Sequence, residues 1–284
     1  MLRNRRDIQS LAYLAILPAL LAWQWHAGFS PLLYAVALVL AVGLSVINHN
    51  HAHLPMWRHR RLNRLTTAWI STLQGHPAFV FHPAHIANHH RYHQGEGDLT
   101  RTDRFGGDHN HLLGYLLHPL HAIWVLYPVF LRYLARLRQR RPAVWRGCLA
   151  QYIPVLALWV ITVSLSPKQA FIYVILPQLF GLHWLLAANY LQHAHADGHS
   201  SHNFARNFNG AVNVILFNIG LHTGHHRHPK AHWATLPTCH APLAHAVDPR
   251  LNQGGLALYM MRTYVLALFI PRFRSQSLMR TPPR

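Results

Sequence analysis

The chain has 284 residues, of which 51% are hydrophobic and only 12% are Asp, Glu, Lys or Arg. That charged fraction is about half of what an ordinary globular protein contains. The formal net charge is +19, but the arginines flank apolar stretches and do not interleave with a nucleic-acid-binding motif, so we exclude a nucleic-acid partner. The 2 cysteines cannot form a zinc or iron–sulfur motif, and no glycine-rich nucleotide-binding pattern occurs.

Two long apolar stretches open the chain, over residues 11–29 and 31–47. Neither contains Asp, Glu, Lys or Arg, and each is long enough for a helix that crosses a bilayer. The first could pass for a secretory signal peptide, but its apolar run is long and no small-residue cleavage site closes it. We therefore expect it to be retained, and the two stretches predict a hairpin of membrane-spanning helices.

The segment over residues 48–147 follows, and it begins with the sequence NHNHAH. His49 and His53 in this sequence are four residues apart, so they share one face of a helix. Two apolar stretches, over residues 66–81 and 112–131, are interrupted by glycine, histidine and proline. We expect these two stretches to lie in the membrane interface and not to cross it.

The stretch HPAHIANHHRYH, residues 82–93, is the densest histidine motif in the chain. On an α-helix, His85 and His89 would point at one place, and His90, about 100° away, would reach a second place beside it. Imidazole is a good ligand for iron, copper, zinc or nickel. The spacing H-x-x-x-H-H therefore predicts ligands for metal, and a polar loop over residues 95–111 follows it.

Two further uncharged stretches, residues 148–166 and 169–191, predict a second hairpin of spans. Asn189 and His193 at the end of the last span are four residues apart. The remaining segment, residues 192–284, contains the motif LHTGHHRHP, in which three histidines have the spacing H-x-x-H-H. These are His222, His225 and His226. A weak apolar helix over residues 256–270 and an arginine-rich tail, which we expect to be disordered, end the chain.

Arginines are distributed asymmetrically about the four predicted spans. They cluster before the first span, after the second and before the third, whereas the two short links hold only Lys168. The positive-inside rule then predicts that both termini and the segments 48–147 and 192–284 are cytoplasmic. All the histidine groups would therefore lie on one face of the membrane.

These patterns predict an all-α, multi-pass membrane protein that forms one domain over residues 1–284. It would have about four transmembrane helices in two hairpins and a cytoplasmic helical cap that carries a dinuclear histidine site. Nine imidazoles are enough for two metal ions with positions left open. The predicted ligands are His49, His53, His85, His89, His90, His193, His222, His225 and His226.

The motifs HNHAH, HIANHH and HTGHH, in this order and on one face, resemble the histidine boxes of the membrane-bound di-iron fatty-acid desaturase and hydroxylase superfamily. The sequence NYLQH at residues 189–193 is similar to the segment that supplies an extra ligand in alkane hydroxylases and stearoyl-type desaturases. The resemblance implies four spans and a cytoplasmic cap that holds two non-haem irons, cycling between Fe2+ and Fe3+. It also implies oxygen-dependent attack on an unactivated C–H bond of a hydrocarbon chain.

The reaction itself is left open by the sequence. A fatty-acyl desaturase is favoured, and a hydroxylase or ketolase of an alkyl, acyl or carotenoid substrate is the alternative. Nine imidazoles could equally bind zinc, so spacing alone allows a zinc hydrolase, and only the resemblance favours iron. A metal transporter or scaffold would need ionisable groups along a path inside the spans, where His183 is the clearest example.

Side chains that hydrogen-bond to the ligands are expected as well, because a metal-bound imidazole usually donates its other N–H. Asp197, one turn beyond His193, is the favoured candidate, and Asn189 and Asp98 are others. His51 and His195 point away from the ligand faces, so we expect them not to bind metal.

Oxygen activation requires electrons, and the chain contains no flavin, nicotinamide or fused haem motif. We therefore expect a separate acidic electron carrier, such as a ferredoxin or a cytochrome b5-like protein. It would dock on the basic surface around residues 58–64 and 132–146. The other expected partners are membrane lipids and a lipid or acyl-chain substrate, and the expected location is a bacterial inner membrane.

Overall fold

The computed structural model describes residues 1–104 and 106–279 and is mostly helical. The chain divides into two compact units. The first contains Met1–His82 and Phe130–Leu185, and the second contains Pro83–Val129 and the chain from Leu186 onward. The single domain over residues 1–284 stays a prediction, and the end of the arginine-rich tail, residues 280–284, lies outside the described residues.

The α-helices range from single turns to a helix of 29 residues. In chain order they are α1 (Ile8–Ala27), α2 (Pro31–His53), α3 (Arg60–Gln74), α4 (His90–Tyr92), α5 (Leu112–Arg140), α6 (Pro142–Ala150), α7 (Tyr152–Leu165), α8 (Pro167–Ala170), α9 (Leu176–His193), α10 (Ala211–Ile215), α11 (His222–Arg227), α12 (Leu236–His240) and α13 (Leu256–Met260).

Wider and tighter helical turns, and one small sheet, complete the fold. The π-helical stretches are His82–His89, Phe171–Ile175 and Met261–Val265. The 3-10 turns are Arg5–Asp7, Ala78–Val80, Trp233–Thr235, Pro249–Leu251, Leu266–Leu268 and Pro271–Phe273. Strand β1 (Asn207–Phe208) pairs in parallel with β2 (Asn252–Gln253), with Asn207 opposite Asn252.

Five helical stretches in the described chain are long and apolar enough to cross a membrane, judged by length and composition. Four of them coincide with the four predicted spans, and the all-α membrane fold is therefore confirmed. The five are Arg5–Ala27, Pro31–His53, Leu112–Arg140, Pro142–Leu165 and Pro167–His193.

The fifth stretch corrects one expectation. We predicted that prolines would interrupt residues 112–131, but α5 continues through both Pro119 and Pro128. A proline removes one backbone hydrogen bond, and an apolar helix keeps its other backbone groups paired within itself. The predicted break near residue 75 does occur, because α3 ends at Gln74 and Gly75 adopts a left-handed backbone with φ of 74°.

In the first unit, α2 packs closely against the first part of α9. The hydroxyl of Ser45 donates to the carbonyl of Gly181 at 3.0 Å. A Cβ atom at position 181 would lie 3.0 Å from the carbonyl oxygen of Ala41, so the absence of a side chain allows the two helices to approach. The hydroxyl of Tyr34 also donates to the carbonyl of Ile172 at 2.6 Å. These two bonds hold α2 in place along the part of the helix that precedes its histidines.

In the second unit, aromatic side chains form a core beside the two short strands. Tyr115 stacks on Tyr264 with ring centroids 5.0 Å apart, and Phe208 of β1 meets the edge of Tyr259 at 5.2 Å. Tyr190, near the end of α9, is only 1% exposed. This core brings the end of α9 and the segment around α11 into the same unit as the HIANHH motif.

Candidate metal centre

The motif HIANHH folds as a π-helix over His82–His89, and this changes which histidines face the same way. In a π-helix, hydrogen bonds join residues five apart, so His85 lies beneath His90. Their Nε2 atoms are 3.0 Å apart. We predicted that His85 and His89 would point at one place. Their rings do stack, with centroids 5.2 Å apart, but the two residues fall in different groups of converging nitrogens.

A third imidazole joins this pair from α11. The Nε2 atom of His225 is 3.0 Å from Nε2 of His90. Helix α11 is positioned by Asn207 of β1, whose side-chain oxygen accepts from the backbone N–H of Thr223 at 2.9 Å. The short sheet thus holds α11 where its histidines meet the π-helix.

A second group of four imidazoles forms in the same unit. Nε2 of His222 is 3.0 Å from Nε2 of His193 and 3.1 Å from Nε2 of His226. The ring of His89 lies 4.8 Å from the ring of His193 and 4.9 Å from that of His226, measured between centroids. One nitrogen from each of the four lies within 4.8 Å of the others. All four side chains are buried, so this group is enclosed in protein.

His93 is a residue that our sequence analysis did not single out as a ligand. Together with His90 and His226 it forms a further set whose nitrogens lie within 4.8 Å of one another. Its backbone is left-handed, with φ of 45°, and this turns the chain after α4. The spacing H-x-x-H between His90 and His93 was the available signal.

His49 and His53 belong to the first unit, at the end of α2. Their rings are 4.8 Å apart between centroids, as expected for residues one helical turn apart. His51, between them, is buried and engaged elsewhere: its Nδ1 accepts from the backbone N–H of Met56 at 3.2 Å, and its Nε2 lies 3.4 Å from the hydroxyl of Thr67.

The donor set fits a metal ion. Burial lowers the pKa of His226 well below its usual range, and the neighbouring His222 and His90 lower it further. It is therefore neutral at physiological pH, which is the form of imidazole that binds metal. Several Nε2 atoms converging at about 3 Å cannot all be satisfied by hydrogen bonds among themselves, because each pair needs one proton. A shared cation would satisfy them together.

Asp98 orients His89 from the polar loop. Its Oδ2 atom lies 2.8 Å from Nδ1 of His89, and both side chains are almost completely buried. Burial alone would raise the pKa of Asp98, but the charge and hydrogen bond of His89 and the backbone N–H groups of Gln94 and Thr100 outweigh it and lower the pKa below its ordinary value. The carboxylate therefore accepts a hydrogen bond from the Nδ1–H of His89, which leaves Nε2 available for metal.

The two other side chains that we expected to support the ligands are engaged elsewhere. Nδ1 of His193 donates to the carbonyl of Phe204 at 2.7 Å, which is the role we expected for Asp197. Asp197 instead accepts from the backbone N–H of His199 at 3.0 Å. Asn189 donates to the carbonyl of Thr100 at 2.6 Å. The reason is that the chain turns after α9, which directs Asp197 into its own loop.

His195 lies in that turn, where its backbone is left-handed with φ of 62°. Its Nδ1 atom is 2.7 Å from the hydroxyl of Ser275. The side chain of His195 therefore contacts the C-terminal segment and not the histidine groups described above.

The fold and these groups define a helical membrane protein with histidine clusters that could hold metal ions. Residues 9–254 match the family model described as Fatty acid desaturase, and the chain belongs to that family. It is also similar to the sphingolipid delta(4)-desaturase/C4-monooxygenase DES2 of Rattus norvegicus. The identity is 25% over 239 residues, which cover 81% of this chain and 68% of that protein.

Membership in this family makes the protein an oxidoreductase of the desaturase or hydroxylase type. It also implies a lipid substrate and a membrane setting, which agrees with the apolar helices. The resemblance noted from the histidine boxes is confirmed at the level of the superfamily.

Proposed function

We propose that this protein is a di-iron fatty-acyl desaturase that introduces a double bond into a lipid hydrocarbon chain. The observation that carries the proposal is the convergence of two imidazole groups in the second unit, drawn from the π-helix, α4, α9 and α11. An alkyl C–H bond has no polarity for an acid or base to exploit, so a redox metal with molecular oxygen is the tool that the substrate requires.

In this proposal, His89, His193, His222 and His226 hold one iron. His85, His90 and His225 hold the other, and His49 and His53 stay predicted ligands on the basis of their sequence spacing. When bound, the two irons would supply oxygen activation. Burial lowers the pKa of His193 and of His226, which favours their neutral, metal-binding form. Asp98 and the carbonyl of Phe204 orient the rings of His89 and His193.

Membership in the desaturase family, and not the spacing of the nitrogens, favours iron over zinc in this proposal, because imidazole binds both metals.

A topology in which four helices cross the membrane is favoured over one in which five do. Three candidate spans separate His89 from His193 in the chain: Leu112–Arg140, Pro142–Leu165 and Pro167–His193. If all three crossed the membrane, these two histidines would lie on opposite faces, although their rings are 4.8 Å apart. An even number must therefore cross. We propose that α5, which carries the arginine cluster, lies on the cytoplasmic side with both termini.

An apolar cavity in the first unit supports a hydrocarbon substrate. It has a volume of about 360 Å³ and lies among the candidate spans, lined by leucine, tryptophan and valine side chains. Its lining includes Leu17, Trp25, Leu44, Leu158 and Val174. A cavity of this character suits an alkyl chain, because binding pockets for apolar ligands bury most of the ligand surface.

Hydroxylation is the second candidate, and one observation favours it: the relative from Rattus norvegicus carries both a desaturase and a monooxygenase activity in its name. The two reactions share the first hydrogen abstraction and differ in whether a second hydrogen leaves or oxygen is added. A ketolase would also add oxygen, and would then oxidise the hydroxylated carbon further to a ketone.

The remaining parts of the proposal are the source of electrons and the location in the cell. Electrons would come from a separate acidic carrier, such as a ferredoxin or a cytochrome b5-like protein, and the location would be a bacterial inner membrane. The exposed arginines at the end of α5 supply the positive field that would steer such a carrier.

Product mass is the experiment that tests the function. Membranes containing the protein are fed candidate lipids with oxygen and an electron donor, and the products are weighed by mass spectrometry. We expect the loss of two hydrogens, whereas the gain of one oxygen would favour the hydroxylase. A His225→Ala variant gives the background, and the absence of both products for every lipid class tried would count against either reaction.

A further inference from the structure

An arginine-lined cavity lies in the second unit. It has a volume of about 630 Å³, and none of the described residues that line it is Asp or Glu. Its walls come from the β2 region, α13 with the helical turns that follow, and the C-terminal segment around residue 275. Its arginines are Arg206, Arg250, Arg262, Arg272 and Arg274.

Arg206 forms the buried end of this cavity. Only 2% of its surface is exposed, and its guanidinium donates to the carbonyls of Leu191 and Ala194, each at 2.8 Å. These carbonyls end α9, so the cation balances the negative end of that helix. Its Nε–H is buried and has no hydrogen-bond partner among the described atoms.

The other arginines are only partly neutralised. Arg250 forms an ion pair with Asp248 at 2.8 Å, and Arg262 donates to the side-chain oxygen of Gln253 at 2.8 Å. Arg206 and Arg262 also lie over the ring of Tyr259, with Cζ atoms 5.0 and 5.9 Å from its centroid. Positive charge therefore exceeds negative charge around the cavity. Guanidinium groups are suited to phosphate because they bind it in a bidentate manner.

The segment that supplies Arg262 has an apolar face turned outward. Residues 256–270, the C-terminal apolar segment, bury Tyr259 and Tyr264 on one side. On the other side they expose large apolar side chains, a pattern typical of helices that lie in a membrane interface. The exposed side chains are Leu258 at 71%, Met261 at 50%, Val265 at 41%, Leu268 at 54%, Phe269 at 77% and Ile270 at 36%.

We propose that the arginine-lined cavity binds the phosphate of an anionic phospholipid, whose acyl chains contact the exposed face of the C-terminal apolar segment. One segment supplies both halves of the match: Arg262 lines the cavity, and the exposed apolar side chains of the same segment would enter the lipid. Arg206 is only 2% exposed at the inner end of the cavity, so a small anionic group is favoured over the broad surface of an acidic protein. The proposal does not depend on which reaction the metal centre performs.

The test measures lipid binding to the purified full-length protein by native mass spectrometry. The probe is phosphatidylglycerol, compared with phosphatidylcholine of the same chains. In an Arg262→Gln/Arg274→Gln variant we expect affinity for phosphatidylglycerol to fall about tenfold or more, because two charge-assisted contacts are lost. The matched control, Arg60→Gln/Arg61→Gln, removes the same charge from exposed positions in α3 and should change affinity less than about twofold.

Three results would overturn the proposal. Equal losses in the two variants would mean that diffuse surface charge binds the lipid. Equal affinity for phosphatidylcholine would remove the role of net negative charge. Competition by sn-glycerol 3-phosphate at the same concentration would assign the cavity to a soluble phosphate compound and not to a lipid. Wild-type metal content and elution volume show that each variant is folded, and an Arg262→Lys variant, which keeps the charge, should retain part of the affinity.

Discussion

Individual nitrogen atoms decide what the histidines can do. An imidazole has two ring nitrogens, and only the unprotonated one binds metal. Asp98 and the carbonyl of Phe204 accept hydrogen bonds from the Nδ1–H groups of His89 and His193, so in both residues Nε2 carries the lone pair. These two contacts therefore prepare one side of the site before any metal enters.

Asp98→Asn should weaken metal binding without unfolding the protein. Loss of the carboxylate removes the acceptor that holds the Nδ1 proton of His89, and changes of this kind lower metal affinity roughly 10- to 100-fold. Competition with a chelator, followed by metal analysis, measures the affinity. The control is Asp103→Asn in the same loop, whose carboxylate pairs with Arg101 and should leave affinity unchanged. Equal affinities in wild type and Asp98→Asn would contradict the prediction.

Removing one imidazole from each group should remove one metal ion. His225 belongs to one group and His226 to the other, so each alanine variant should keep about one of two ions and lose activity by a factor of roughly 100 or more, as expected when a ligand is deleted. Elemental analysis per chain gives the count. His199→Ala, at an exposed position, should retain both ions. Full metal content in His225→Ala would show that it is not a ligand.

At the scale of the elements, the π-helix and α11 divide their histidines between the two imidazole groups in opposite ways. The π-helix places His85 with His90 and separates His89, whereas α11 places His222 with His226 and separates His225. Each motif therefore sends two imidazoles to one group and one to the other. The wider turn in the first motif and the ordinary turn in the second produce this complementarity.

Gly75→Ala should destabilise the first unit. Gly75 has φ of 74°, and a Cβ there would lie 2.5 Å from the side-chain oxygen of Gln178. The left-handed backbone costs about 1 kcal/mol for alanine, and displacing Gln178, which donates to the carbonyl of Thr72 at 3.1 Å, adds to that. We expect a lower melting temperature in detergent. Gly147→Ala, inside α6 with nothing within 4 Å of its Cβ, should be neutral or stabilising, and the reverse order would refute the argument.

At the scale of the whole molecule, reporter fusions at residues 30, 110, 168 and 284 should read outside, inside, outside and inside. The physical reason is that the arginine clusters stay in the cytoplasm. A further insertion after residue 141 should also read inside, because α5 is proposed not to cross. An external signal at residue 110 or 141 would be incompatible with four crossings around one shared site.

Turnover with an acidic carrier should be sensitive to salt and to the arginines at the end of α5. An Arg136→Gln/Arg138→Gln/Arg140→Gln variant removes three exposed charges, and steered association slows when the field is removed or screened. We expect reduction by a purified ferredoxin to slow severalfold in the variant and at high salt. Turnover with a small chemical reductant is the control and should not change. Turnover with NADH alone would contradict a separate carrier.

The sequence by itself determined four of the five helices that can span the membrane and the identity of the histidine boxes. Both are local properties: an uncharged run of about 20 apolar residues indicates a candidate span, and the box spacings are read directly from the chain. The tertiary structure alone decided which imidazoles meet: the hydrogen bonds of a π-helix join residues five apart, and Nε2 of His85 lies 3.0 Å from Nε2 of His90. Asp98 replaced Asp197 as the carboxylate beside a ligand, since loop paths and not distance along the chain bring them together. The arginine-lined cavity likewise brings Arg206 and Arg274 together. Segments that are distant in the chain form it by tertiary packing, which no local sequence pattern predicts.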